Sequence, residues 1–310
     1  MEEDIAYQEA LYPLMIATYP YSKSITKKIK CAKKLFQDIQ QLKKNLPVHF
    51  SNSIFVRIDE YNPYFMKVAI SGCNETPYDS GLLFFDVEIP DNYPESPPKI
   101  TAKNLRNIIN PSIYGDGKLV WSLLNSWGND PSEKWNPKDS NLYQVFISIQ
   151  SLLLNNKPYF NQMNKNCEMN TRTGKENSDK YNNKCYIHTL NDLIIQPLCN
   201  PPEGFEDIVK HHFRNKRLYI EDMLYNLWAL QIQETEPEMY EKIKMIKPRL
   251  KLALDGRRDV DEPVPKDNSK TNTNWESSTS PKKKHKKYST VSCEEYDAMY
   301  SDDLFNASCY

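Results

Sequence analysis

Three short runs with apolar residues at every second position dominate the first third of this chain. They are Ile54, Val56 and Ile58, then Met66, Val68 and Ile70, then Leu83, Phe85, Val87 and Ile89. A period of two puts one face of each run against a core, which is the pattern of half-buried strands. Asn62-Pro63 separates the first two runs and the Gly72–Gly81 loop the next two. Neither connection is long enough for a crossover helix, so the strands are expected to form an antiparallel meander. Pro97-Pro98 admits Lys99-Ile100-Thr101 as a fourth strand at a sheet edge, where a missing N–H is tolerated. Tyr93-Pro94 is an aromatic–proline bond and a candidate cis peptide.

A helical period takes over on both sides. Ile29, Ala32, Phe36, Ile39, Leu42 and Leu46 follow steps of three and four from about Ser24, which can cap the orphan amides. Lys27, Lys28, Lys30, Lys33 and Lys34 crowd the first turns of this helix, the unfavourable end for cations in a helix dipole. They read either as a solvated face or as a docking surface for an acidic partner. The cleanest period runs from Ser140 to Leu154 through Leu142, Val145, Phe146, Ile149, Leu152 and Leu153, with Asp139 or Ser140 as cap. Further helices are expected at about 178–196, 203–214 and 216–232, and a weaker stretch at 237–254 reads as helix or linker. Residues 1–24, broken by Pro13 and Pro20, read as a packed arm or a partner-binding segment. The expected class is α+β: an N-terminal helix, a four-stranded antiparallel meander, and central and C-terminal helices.

Composition limits the function. Forty basic and 41 acidic residues nearly cancel, so no global field favours nucleic acid. No apolar run approaches the roughly 18 residues that would span a bilayer. The seven cysteines are scattered, form no C-x-x-C pair and show no ligand spacing with the five histidines, so no metal site or cofactor is expected. The low mean hydropathy of −0.72 reflects a polar tail. Residues 255–310 are expected to be disordered, being too poor in apolar side chains to offset chain entropy of about 1–2 kcal/mol per residue. Within them Lys282 to Lys287 form a basic block after Ser280-Pro281, either a solvated charge run or a nuclear-import signal. The acidic N-terminus lacks a signal-peptide pattern, so a cytoplasmic or nuclear location is expected.

One further stretch carries a resemblance. Tyr93-Pro94-Glu95-Ser96-Pro97-Pro98 is followed by Asn110-Pro111-Ser112, then Gly117-Lys118-Leu119-Val120, then Asn125-Ser126-Trp127 and Trp135-Asn136-Pro137. This order resembles the core of the ubiquitin-conjugating enzymes, the E2 family, over about residues 27–230. It is similar in particular to the domains near the C-termini of large hybrid E2/E3 proteins, where Asn can open the tripeptide. The similarity continues through Pro201-Pro202-Glu203-Gly204-Phe205. It implies the UBC fold for residues 25–235, with 236–254 as a helix or linker beyond.

The resemblance also implies what is missing. Val120 stands where the family has its nucleophilic cysteine, and Ser112 where it has the asparagine that supports the charged intermediate. Accepting ubiquitin as a thioester needs a thiolate, which valine cannot supply. No catalytic residue is therefore expected, and the reading is a non-catalytic variant that binds ubiquitin or a ubiquitin-like protein, E1, E2 or E3. The alternatives are an active transferase using Cys167, the thiol that follows the loop bordering the family site, and a fold reused as an interface outside the pathway. Cys73 belongs to a loop expected on another side, and Ser122 has no base to activate it. By resemblance the first-helix lysines face E1, and Tyr93, Pro94, Ser96, Pro97, Asn125, Ser126 and Trp127 face E3.

Overall fold

A computed structural model describes residues 2–21, 32–126, 133–162, 165–224 and 237–256. All lie within one compact unit, Met1–Val264. Lys27, Lys28, Lys30, Trp127, the Lys282–Lys287 block and residues 257–310 of the expected disordered tail fall outside the described residues.

Helix α1 (Glu2–Leu11) leads into strand β1 (Ile16–Tyr19), and helix α2 (Ala32–Asn45) precedes a small hairpin of β2 (Val48–His49) with β3 (Asn52–Asp59). Strands β4 (Phe65–Ser71), β5 (Leu82–Glu88) and β6 (Lys99–Lys103) follow. The sheet order is β1-β3-β4-β5-β6, with β2 on β3. The four expected strands are present and antiparallel to one another, with Val56 opposite Val68 and Val68 opposite Phe85.

A four-stranded antiparallel sheet is nevertheless the wrong description. The sheet has six strands and is mixed, because β1 runs parallel to β3 in the register Ile16 to Val56. Val56 N–H donates to Met15 O at 2.8 Å. The parallel pairing is possible because α2 lies between β1 and β3 in sequence and supplies the crossover that parallel neighbours need. The N-terminal arm is therefore an edge of the sheet, and its helix buries Tyr7 and Leu11.

Other boundaries also moved. Helix α2 turns Leu35, Asp38 and Leu42 inward and leaves Phe36 62% exposed, although Phe36 fits the helical spacing. Helix α3 (Leu142–Ser148) is capped by Asn141, whose side chain accepts from Gln144 N–H, not by Asp139 or Ser140. It continues as a π turn, Ile149–Leu153, which rotates the register and exposes Leu152. The same turn buries Gln150, whose Nε2 donates to Ser53 O and Ser71 O. Helix α4 (Arg172–His188) begins earlier than expected, capped by Thr171. It passes through a π segment (Thr189–Ile195) into α5 (Gln196–Cys199). Helix α6 (Glu206–Asp222) runs through the break expected near residue 215. Helix α7 (Pro237–Leu254) buries Ile243, Ile246, Leu250 and Ala253, so it is packed structure and not a linker.

Arg57 ties three of these parts together. Its guanidinium is almost fully buried and donates to Leu14 O at 2.7 Å and to Gly204 O at 2.8 Å. It also reaches the Asp207 carboxylate at 3.2 Å and lies over the Phe205 ring. Arm, sheet and C-terminal extension thus share one cation. Because Asp207 is half exposed, most of the energy lies in the two carbonyls that would be left unpaired. Arg57→Ala is expected to lower stability by about 3 kcal/mol, read from the urea midpoint. A loss below about 1 kcal/mol would mean that the arm is held by its apolar contacts alone.

Candidate functional site

The segment after β6 folds back on the sheet as a tight hairpin. Ile113 bridges Leu119, Tyr114 N–H donates to Lys118 O, and Gly117 N–H donates to Tyr114 O. Gly117 sits at φ +83°, and a Cβ there would stand 2.2 Å from Ala102 O, so this turn requires glycine.

Asn110 anchors the hairpin from below. It is fully buried, and its amide donates to Tyr78 OH and to Leu153 O, each at 2.9 Å. Its Oδ1 accepts from Ser112 N–H at 3.0 Å. Tyr78 in turn donates to Ile109 O. Ser112 returns a carbonyl to Val120 N–H at 2.9 Å, which places these two half-buried residues side by side at the mouth of the loop. An isopropyl group thus stands where the resemblance puts the nucleophile. It offers no lone pair, no acidic proton and no ligand atom.

Beyond Val120 the chain makes a 3-10 turn, Ser122–Leu124, closed by Asn125 in the left-handed region. Trp121 N–H donates to Ser126 Oγ, and Ser126 Oγ donates back to Trp121 O. Asn125 Oδ1 accepts from Trp135 N–H at 3.2 Å. Trp135 Nε1–H then donates to Pro94 O at 2.6 Å, and its ring lies 5.6 Å from that of Tyr93. The Tyr93–Pro94 peptide is cis. The two loops assigned by resemblance to E3 docking, Tyr93–Pro97 and Asn125–Ser126, are therefore joined through one tryptophan.

Asp38 joins this region to α2. It is 1% exposed, accepts from Tyr93 OH and from Leu142 N–H at the start of α3, and pairs with Lys34 at 3.1 Å. Burial, then the adjacent Asp38 carboxylate, push the Tyr93 phenol well above its ordinary range. Of the expected E1-facing lysines, Lys33 is exposed, while Lys34 is half-buried against Asp38. Asp38→Ala is expected to cost about 2–4 kcal/mol, since the phenol, an amide and a cation lose their acceptor together. Asp38→Asn keeps the shape and one acceptor and is expected to lose less. Equal losses in the two variants would contradict this assignment.

Cys73, Cys185 and Ser122 are poorly suited to nucleophilic work. Cys73 is half-buried, its thiol pushed up by burial and then by the nearby Asp79 carboxylate. Cys185 is buried against Ile109 O and pushed up to about 12 by burial. Ser122 is buried in its turn. Cys167 is exposed, in a 3-10 turn (Asn166–Glu168) that precedes α4. Before that turn, Asn155 Nδ2 donates to Asn161 Oδ1, and Asn161 Nδ2 donates to Leu153 O, the carbonyl that also holds Asn110. Among the described residues no group of three or more His, Cys, Asp or Glu is placed to hold a metal ion, and no helix is long and apolar enough to cross a membrane. Asp38, and the bonding roles of Tyr78 and Trp135, are what sequence reasoning missed.

A family profile described as ubiquitin-conjugating enzyme matches residues 34–188. The human dual E2 ubiquitin-conjugating enzyme/E3 ubiquitin-protein ligase BIRC6 is 36% identical over 206 residues, covering 66% of this chain and 4% of that protein. Probable ubiquitin-conjugating enzyme E2 23 of Arabidopsis thaliana is 37% identical over 195 residues, 63% of this chain and 17% of that one. Probable ubiquitin-conjugating enzyme protein 17 of Caenorhabditis elegans is 40% identical over 188 residues, 60% of this chain and 26% of that one. The chain thus spans only a small part of the length of these relatives. The solved structure of human ubiquitin-conjugating enzyme E2 G1 is 25% identical and overlays with a TM-score of 0.34, covering 40% of this chain and 94% of that one. The chain belongs to the ubiquitin-conjugating enzyme family.

Proposed function

We propose that this chain is a ubiquitin-pathway component that holds its partners and does not itself carry ubiquitin. The observation behind this reading is Val120: a hydrocarbon side chain at the loop mouth, beside Ser112 and above the hydrogen-bonded Asn110. Acyl transfer through a thioester needs a nucleophilic sulfur, and no neighbouring donor compensates for its loss. Ser112 keeps a hydroxyl but lacks the reach of an amide. Loss of a donor to a developing oxyanion costs about 10²–10³ in rate on its own.

What such a scaffold keeps are its docking faces. Lys33 and the exposed Phe36 on α2 are offered to E1 or an E2, and Tyr93 to Pro97 with Asn125 and Ser126 to an E3. Binding tests the reading. The full chain is titrated by calorimetry with ubiquitin, a stable E2–ubiquitin conjugate, E1 and a panel of E3 domains. Saturable binding to at least one, weakened by Ser96→Arg or Phe36→Ala, is the expected result. No binding to any of them would leave the fold as an interface outside the pathway and overturn the proposal.

A further inference from the structure

The sheet closes one of its edges and leaves the other open. At β6 the site hairpin lies alongside: Ala102 N–H donates to Gly117 O at 2.7 Å, Leu119 N–H donates to Ile100 O at 3.3 Å, and Thr101 bridges Lys118. At the opposite edge stands β1, paired with β3 alone. In a parallel ladder, alternate residues bond the neighbouring strand. Met15 O accepts from Val56 N–H and Tyr19 O from Glu60 N–H, so residues 15, 17 and 19 face β3.

Ile16 and Thr18 therefore turn their N–H and C=O groups away from the sheet, and no partner meets them among the described residues. These groups are within reach, because Ala17 and Thr18 are exposed and Ile16 is half-buried. Natural edge strands are commonly guarded by a charge or a proline within the strand. Ile16-Ala17-Thr18-Tyr19 contains neither, and Pro13 and Pro20 stand outside it.

We infer that β1 pairs with β1 of a second copy of this chain, antiparallel across a two-fold axis, so that one continuous sheet runs through a homodimer. The register follows from the outward groups. Ile16 of one copy opposes Thr18 of the other, and each such pair exchanges both backbone bonds. Ala17 then meets its own counterpart on the axis, in a non-bonded pair whose Cα atoms come to about 4.5 Å. It is the smallest side chain of the strand and fits that close approach. The next bonded pair would join Leu14 to Pro20. Proline has no N–H, and Leu14 O already accepts from Arg57, so the ladder ends there. Charge selects the antiparallel sense. Gly204 lies against the Tyr19 ring, which sets the exposed Glu203 and Glu206 at that end of β1, where Glu60 also emerges. A two-fold axis keeps the acidic ends of the two copies apart, whereas parallel pairing would set them side by side. Each copy has one such edge, so pairing consumes it and the assembly closes as a dimer.

Sedimentation equilibrium of the full chain from about 5 to about 200 μM tests this. The mass is expected to rise with concentration from 36.3 kDa towards twice that value. Thr18→Pro deletes a donor that β3 does not use, and is expected to weaken association at least about tenfold while the urea midpoint of the dilute protein holds. Ala17→Lys and Ala17→Glu each set like charges face to face on the axis and are expected to stay monomeric. An equimolar mixture of those two is expected to dimerise again, which tests the register independently should the proline variant misfold. The inference is overturned if wild type stays monomeric throughout, if any folded single variant associates as tightly as wild type, or if mixing the two charge variants restores no dimer.

Discussion

Acidification from pH 6.5 towards pH 3 is expected to strip on the order of 4–5 kcal/mol from the fold through one residue, His212. Its ring is fully buried. Nδ1 accepts from Tyr7 OH at 2.6 Å, so Nε2 carries the proton and donates to Ser80 O at 3.0 Å. Burial, with the Lys216 ammonium adding to it, lowers its pKa from 6.5 to about 3. A depressed folded pKa means that the unfolded chain takes up the proton first. Stability is then fully present above pH 6.5 and is lost as pH falls towards 3, at about 1.4 kcal/mol per pH unit.

The groups facing His212 sharpen the prediction. Lys216 is also buried, with its Nζ 3.3 Å from Ser80 Oγ and over the Phe50 ring. Burial pulls it down to about 8, so it acts in another window: stability rises from pH 8 to about 10.5 as the native chain loses its proton. Asp79 accepts from Tyr219 OH and Ser80 Oγ, yet burial raises its pKa, which opposes the histidine at low pH. The Tyr7 and Tyr219 phenols and the Cys73 thiol are all raised and stay protonated throughout the acid window. The measurement is therefore a difference: urea unfolding of wild type and His212→Gln at half-unit steps from pH 7 to pH 4. Wild type is expected to lose stability more steeply by about one proton. Parallel profiles would show that His212 is not held neutral. This cluster clamps α1 to α6, so acid is also expected to release the arm before the sheet.

Much of the architecture was legible because it obeys simple periods. The alternation at Ile54 to Ile89 marked three strands, and Pro97-Pro98 marked the entry to a fourth. The parallel β1 was not legible. Ile16-Ala17-Thr18-Tyr19 has only intermediate burial at its ends, and Pro13 and Pro20 mask it as irregular chain. Its partner is also distant in sequence. Phe36 and Leu152 fit a straight 3.6-residue period, but local geometry decided otherwise, at Leu152 through a π turn that no composition rule announces. At the site, Asn110, Ser112 and Val120 stood out through their motif. Asp38 looked like one more polar residue on a lysine-rich helix. Tyr78 and Trp135 matter through hydrogen bonds spanning 32 to 41 residues, which spacing does not encode.

The central claim is that the scaffold still docks its partners and that the nucleophile is gone, and Val120→Cys tests it most directly. The variant puts a thiol beside Ser112, above the same Asn110 network, at a backbone position that already donates to Ser112 O. Wild type, Val120→Cys and Cys167→Ala are each incubated with E1, ATP and ubiquitin, then run on gels with and without reductant. The account predicts no adduct on wild type or Cys167→Ala, and a band on Val120→Cys that reductant removes. A reducible adduct on wild type that Cys167→Ala abolishes would contradict it and make this chain a transferase with a relocated thiol.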